Sequence, residues 1–257
     1  MELLMTTHIA PRTWQRSTFG TLLRVETRKL LDTRTSRIMT AVLVVVAVAL
    51  VAGRGVVTGT ADLFTLAGTA GAAFGILLPV LGILSITGEW HHRTALTTFT
   101  LEPRRARVLV AKCVPVLVAA ALACVLAVLV ALPVTAVAAS VAGVEASWRL
   151  EPYELLGWIA TMVLVTAQGL ALGLLVLNAP AVIVIYLVSP MVWSFVGQLG
   201  KGGKAMAQWL DLNSTSDVLM SGDVTGGDLA RLAASVTVWI VVPAVVGTLR
   251  VLRSDVT

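Results

Sequence analysis

Five stretches without a single Asp, Glu, Lys or Arg run through this chain: Ile38–Gly53, Leu63–Gly88, Cys113–Val144, Leu155–Gly200 and Leu232–Leu249. A helix needs roughly 20 apolar residues to cross a lipid hydrocarbon core at 1.5 Å per residue. The first stretch is short, so its span extends past Arg54, whose side chain can snorkel to the interface. The fourth is about 69 Å long as one helix and is read as two crossings, with Asn178-Ala179-Pro180 as the turn between them. Six spans result, at about 38–58, 63–87, 108–141, 155–177, 180–199 and 232–249. The expected fold is an all-α membrane protein, one transmembrane domain over 1–257.

Composition supports that class. Apolar residues make up 57% of the chain and charged residues 13%, against about 45–50% and 25% in a soluble domain. Too few polar residues remain to cover a soluble surface. The net charge of +5 is therefore read as a topology signal, and no nucleic-acid partner is expected. Of 19 Lys and Arg, seven lie in the N-terminal segment, five in the 88–112 loop and two in the C-terminal tail. Glu145, Glu151, Glu154, Asp211, Asp217, Asp223 and Asp228 fall in the alternate loops. Because basic residues collect on the cytoplasmic side, both termini are expected there. The basic first 37 residues do not read as a cleavable signal. Cys113 and Cys124 stand about 16 Å apart along one helix, too far for a disulfide.

Several chemistries find no motif. Lys201 and Lys204 sit among glycines, but position 198 is Gln and position 205 is Ala, so no phosphate-binding loop forms. GxSxG, HExxH and paired intramembrane carboxylates are missing from the sequence, so no enzyme is expected. Ion-coupled carriers usually keep an ionisable group inside the membrane, whereas these spans hold almost none. Glu89, His91 and His92 suggest a metal set only briefly, since adjacent histidines point to different faces of a helix.

Two segments stand out. Over residues 17–37 a helical wheel places Phe19, Leu22, Leu23 and Leu30 on one side and Arg24, Arg28 and Asp32 opposite, the pattern of an amphipathic helix lying at the bilayer surface. Glu26 falls within the apolar face beside Lys29. A buried acid is costly without a basic partner, so Glu26 is expected to pair with an Arg or Lys of the internal loop. That loop, 88–107, reads Gly88-Glu89-Trp90-His91-His92-Arg93-Thr94, Leu96-Thr97-Thr98-Phe99 and Glu102-Pro103-Arg104-Arg105, and Ala111-Lys112 follow on the next helix. A short interfacial helix is expected over 89–101, and Pro103 suits the first turn of the next helix.

With Glu26 and Lys29 on a surface helix, six spans, the pattern Gly88-Glu89, Thr94, Leu96, Pro103-Arg104, Lys112 and a large 200–231 loop before the last span, the chain resembles the permease subunits of ABC-2-type ABC transporters. Where such loops often carry Leu-Leu before the proline, this chain has Thr97-Thr98-Phe99. The resemblance implies an exporter subunit in the bacterial cytoplasmic membrane. It implies a coupling helix made of Glu89, Trp90, His91, His92, Arg93, Thr94, Leu96, Pro103 and Arg104, seated on a separate ATPase subunit. ATP–Mg would be bound by that partner and no cofactor by this chain. A second permease copy, identical or a close paralogue, would complete the unit. Gln168 and Ser189 lie at similar depth in spans four and five and are candidates for a substrate pathway, although such residues also hydrogen-bond between helices. Two readings from other classes remain: a scaffold or sensor subunit binding a soluble partner, and an ion-coupled carrier.

Overall fold

The computed structural model describes residues 18–91 and 104–253. The described residues are mostly helical, and six helices are long and apolar enough to cross a membrane. The first helix, α1, covers Phe19–Asp32, and α2 covers Arg34–Thr58. The expected single helix over 17–37 is thus divided, and its last residues begin the first span. Thr33 makes the division: its extended backbone ends α1, its N–H donates to the Lys29 carbonyl, and its hydroxyl accepts from Ser36 N–H at the start of α2. One residue serves both helix ends because a threonine hydroxyl satisfies a first-turn N–H that the helix cannot.

The second crossing is built from α3, Leu63–Thr69, and α4, Gly71–His91. Asp62 caps α3 by accepting from Thr65 N–H at 2.8 Å. Burial raises its carboxyl pKa, but hydrogen bonds from Thr65 and Ser147 outweigh this and hold it below the usual carboxylate range. Backbone bonds from Leu63 N–H to the Ser147 carbonyl and from Ser147 N–H to Ala61 tie this turn to the next loop. The third crossing, α5, covers Arg105–Ala142. Its 38 residues give about 57 Å of helix, more than a hydrocarbon core requires, so α5 tilts or projects beyond it.

Helix α6, Pro152–Val176, is the centre of the bundle and packs against α4, α5 and the last helix. It ends at Leu177, whose positive φ of 56° is rare for a branched residue. Asn178 then caps α7, Ala179–Gln198, by accepting from Ala181 N–H, with proline in the first turn. The Asn-Ala-Pro turn read from the sequence is therefore a helix-to-helix cap. Small residues bring α6 close to its neighbours. A Cβ on Gly169 would lie 2.7 Å from the Pro79 carbonyl oxygen of α4, and one on Gly173 would touch Ile83 and Ile86. The Gly169-x-x-x-Gly173 pair is thus spent on packing within the chain.

The 200–231 segment departs most from its expected form as a loop. It holds α8, Gly200–Leu210, then α9, Leu212–Ser216, and a 3-10 turn over Asp217–Met220. The last helix, α10, covers Gly226–Arg253 and starts earlier than the expected 232. A capping box explains the early start: the Thr225 hydroxyl accepts from Asp228 N–H, and the Asp228 carboxylate accepts from Thr225 N–H. The Gly226-Gly227 pair reads as loop by composition, yet it occupies the first turn. Within α10, Thr237–Val241 winds as a π-helix.

These helices form a cap on the bundle. The Thr161 hydroxyl of α6 donates to the Ser216 carbonyl, Thr215 and Ser235 share a 2.6 Å hydroxyl bond, and Trp239 Nε1 donates to the Leu210 carbonyl at 2.6 Å. Beneath it lies the larger core, where Phe74 stacks on Trp158 and Phe64 meets the same indole edge-on. The opposite end is sealed by Leu81, Ile86, Val108, Leu109, Leu170, Leu174 and Val251, with Leu30 and Met39 packed against them. Since Leu30 belongs to α1, Val108 to the start of α5 and Val251 to the end of α10, this is the face where both described ends of the chain emerge. It is called the terminal face below.

Candidate functional site

The terminal face concentrates the polar chemistry. On α1, Leu22, Leu23, Glu26 and Leu30 are half-buried, while Arg24, Arg28 and Asp32 are exposed. That division follows the spacing of three and four residues that puts side chains on one helix face. The half-buried side of α1 packs on α5, which brings Glu26 against Lys112. Lys112 Nζ donates to Glu26 Oε2 at 3.0 Å, and Lys29 Nζ donates to Oε1 at 2.7 Å. Each carboxylate oxygen therefore accepts from one ammonium. Lys112 is 2% exposed, Glu26 11% and Lys29 43%. The pair joins a buried cation to a nearly buried anion, and Lys29 closes the cluster from the surface side.

Energetically the cluster is not a simple gain. Removing two charges from water costs several kcal/mol per ion, and their attraction returns this only in good geometry. What the pair does strongly is fix one arrangement, because separating the two residues would cost a buried ammonium this carboxylate and a nearly buried carboxylate one of its two ammonium donors. Arg28, by contrast, binds Asp32 at 2.9 Å with both side chains exposed, an i,i+4 pair worth about 0.3–0.5 kcal/mol. Of the three α1 residues singled out in the sequence, Glu26 and Lys29 form the cluster and Arg28 stands apart.

The described ends of the loop flank this site. Glu89, Trp90 and His91 form the last turn of α4. His92, Arg93, Thr94, Leu96 and Pro103 lie outside the described residues, as does most of the expected interfacial helix over 89–101. Arg104 is exposed and immediately precedes α5. Thus the 88–107 segment is entered from α4 and left by α5, and Lys112 lies two turns into α5.

Beside the cluster is a cavity of about 460 Å³, lined by residues of α1, α2, α4, α5 and α7. A second cavity, of about 380 Å³, lies at the opposite end beneath the cap, with Phe64, Trp158, Thr161, Asn213 and Asp217 among its walls. The two pathway candidates line neither. Gln168 is buried in α6, and Ser189 is half-buried with its hydroxyl donating to the Tyr186 carbonyl on its own helix. Among the described residues no group of His, Cys, Asp and Glu is placed to hold a metal.

The cluster was partly foreseeable, since an acid on the apolar face of α1 needs a basic partner. The cap bonds were not, although a Trp within a span does call for an acceptor. Comparison of the chain with protein-family models and with curated proteins finds no match.

Proposed function

We propose that this chain is the membrane-spanning permease subunit of an ATP-driven exporter, with ATP–Mg bound and hydrolysed by a separate ATPase subunit docked on the 88–107 segment. The observation that carries this reading is the Glu26–Lys112–Lys29 cluster beside the two helices that bound that segment. A displacement of the segment reaches α4 and α5 directly, and it reaches α1 through Lys112. The charge-free centres of the spans support the same reading, because an ion-coupled carrier needs an ionisable group there. In this reading α1 lies on the cytoplasmic surface of a bacterial membrane and two permease copies work with two ATPases. The distribution of Lys and Arg supports cytoplasmic termini.

The reading is tested without knowing the substrate. Arg104 is exposed at the edge of the segment, so Arg104→Cys carries a fluorescent label, while Cys113 is half-buried and Cys124 buried. In the purified complex a non-hydrolysable ATP analogue should shift the label's emission, and Glu89→Ala should abolish the shift while the partner stays bound. An emission that ignores nucleotide in the intact complex would refute the coupling role.

A further inference from the structure

The cavity on the terminal face has the construction of a site for an amphipathic anion. Its apolar lining is Met39 of α2, Leu81 and Leu84 of α4 and Val116 of α5, among others. Its polar end is made by Glu26, Lys29 and Lys112, two ammonium groups and one carboxylate. The lining also takes in the starts of two long helices, the cap Thr33 with Thr35 and Ser36 of α2, and Ala179 and Pro180 of α7. Helix N-termini carry partial positive charge and favour anions. Two helix ends, two lysines and the Glu26 carboxylate therefore line one small space whose remaining surface is largely apolar, the Ser85 and Thr87 hydroxyls there donating to carbonyls of their own helix.

The position selects the source of that anion. Both α2 and α7 pack on α4, and the cavity is lined from each of them. Their outward faces beside it carry exposed Ile38, Val42, Val184 and Ile185, apolar side chains of two helices that qualify as membrane spans. The cavity therefore borders surface that faces lipid. Its volume falls within the about 300–1,000 Å³ of small-ligand sites, enough for one chain and a phosphate while a second chain stays in the bilayer.

We propose that this cavity binds an anionic phospholipid of the leaflet at the terminal face, with its phosphate between Lys29 and the N-terminal turns of α2 and α7 and one acyl chain against Met39, Leu81, Leu84 and Val116. The bound lipid bridges α1, α2 and α7 and sets how α1 sits against the bundle. This inference rests on the membrane spans and stands apart from the exporter reading.

Native mass spectrometry of the full chain in mild detergent tests it, with phosphatidylglycerol, phosphatidylcholine of the same chains, and glycerol phosphate as probes. One phosphatidylglycerol should be retained per chain, about tenfold more tightly than phosphatidylcholine, the size of one charge-assisted contact. Lys29→Gln should remove that preference. A Cβ on Gly88 meets nothing within 4 Å, and Gly88 lines the cavity, so Gly88→Leu should fill the space and abolish retention. Equal retention of phosphatidylcholine would overturn the anion assignment. Full competition by glycerol phosphate would make this a soluble-anion site and overturn the lipid. Unchanged binding in both variants would place the lipid elsewhere. Should Gly88→Leu not fold, Met39→Trp puts a reporter in the wall. Brominated-chain phosphatidylglycerol should quench it at one lipid per chain, and absence of quenching would refute chain entry.

Discussion

Glu26 on α1 and Lys112 on α5, 86 residues apart in sequence, meet at 3.0 Å on the terminal face, with Lys112 almost wholly buried. Removing Glu26 takes its carboxylate from a buried ammonium, and breaking a buried pair from one side costs about 3–5 kcal/mol. Replacing both with apolar residues avoids that cost. Glu26→Ala is therefore expected to lower thermal stability by that amount in detergent, and Glu26→Leu with Lys112→Met to recover most of it. A double variant no more stable than the single would show that the pair is not the cause.

Helix contacts give a second prediction. A Cβ on Gly157 would lie 1.9 Å from the Leu219 carbonyl oxygen and 2.4 Å from its carbon, whereas one on Gly75 meets nothing within 4 Å. Gly157→Ala must push the cap away from α6 and should destabilise by about 1–3 kcal/mol. It should also speed proteolysis between α9 and α10. Gly75→Ala should be neutral or stabilise by about 0.5–1 kcal/mol through helix propensity. Thermal unfolding of the two variants side by side checks both.

The cap also carries a pH dependence. Partial burial, with the nearby Asp211 charge adding to it, raises the Asp217 carboxyl above its ordinary range. A raised acid binds its proton more tightly in the folded state. Stability is therefore lost as pH rises from the ordinary carboxylate value through the raised one, and the loss is complete above both. Asp217 is exposed, so the effect is small. Asp217→Asn should be more stable than the parent at pH 7 by at most about 0.5 kcal/mol. The difference should shrink as pH falls and vanish only below the ordinary carboxylate range, as measured by melting at successively lower pH.

Much of the fold was legible because one signal, the charge-free run, repeats through the chain. It placed the six crossings, and the Asn178-Ala179-Pro180 turn divided the longest run correctly because asparagine and proline each satisfy a need of a helix start. The 200–231 segment misled for the opposite reason. Its Gly, Ser and Asp content reads as loop, yet Asp211, Thr225 and Asp228 are caps that begin helices. Its packing rests on single bonds such as Trp239 to Leu210, which have no periodic signature. At the site, Glu26 was legible as an acid on an apolar face. Thr33 was not, because a helix joint and an ordinary surface threonine look alike in sequence. The cavity was unreadable, since its walls come from five helices and only their packing brings them together.

The exporter reading stands or falls on a partner. The most direct measurement is to purify the tagged full chain from its own membranes in mild detergent, identify what accompanies it by mass spectrometry, and assay the preparation for ATP hydrolysis. The expected result is a stoichiometric subunit of roughly 25–35 kDa, a typical one- or two-domain size, bearing a phosphate-binding loop and hydrolysing ATP. A chain that purifies alone, or with a partner that has no nucleotide site, would contradict the permease reading and favour a scaffold or carrier.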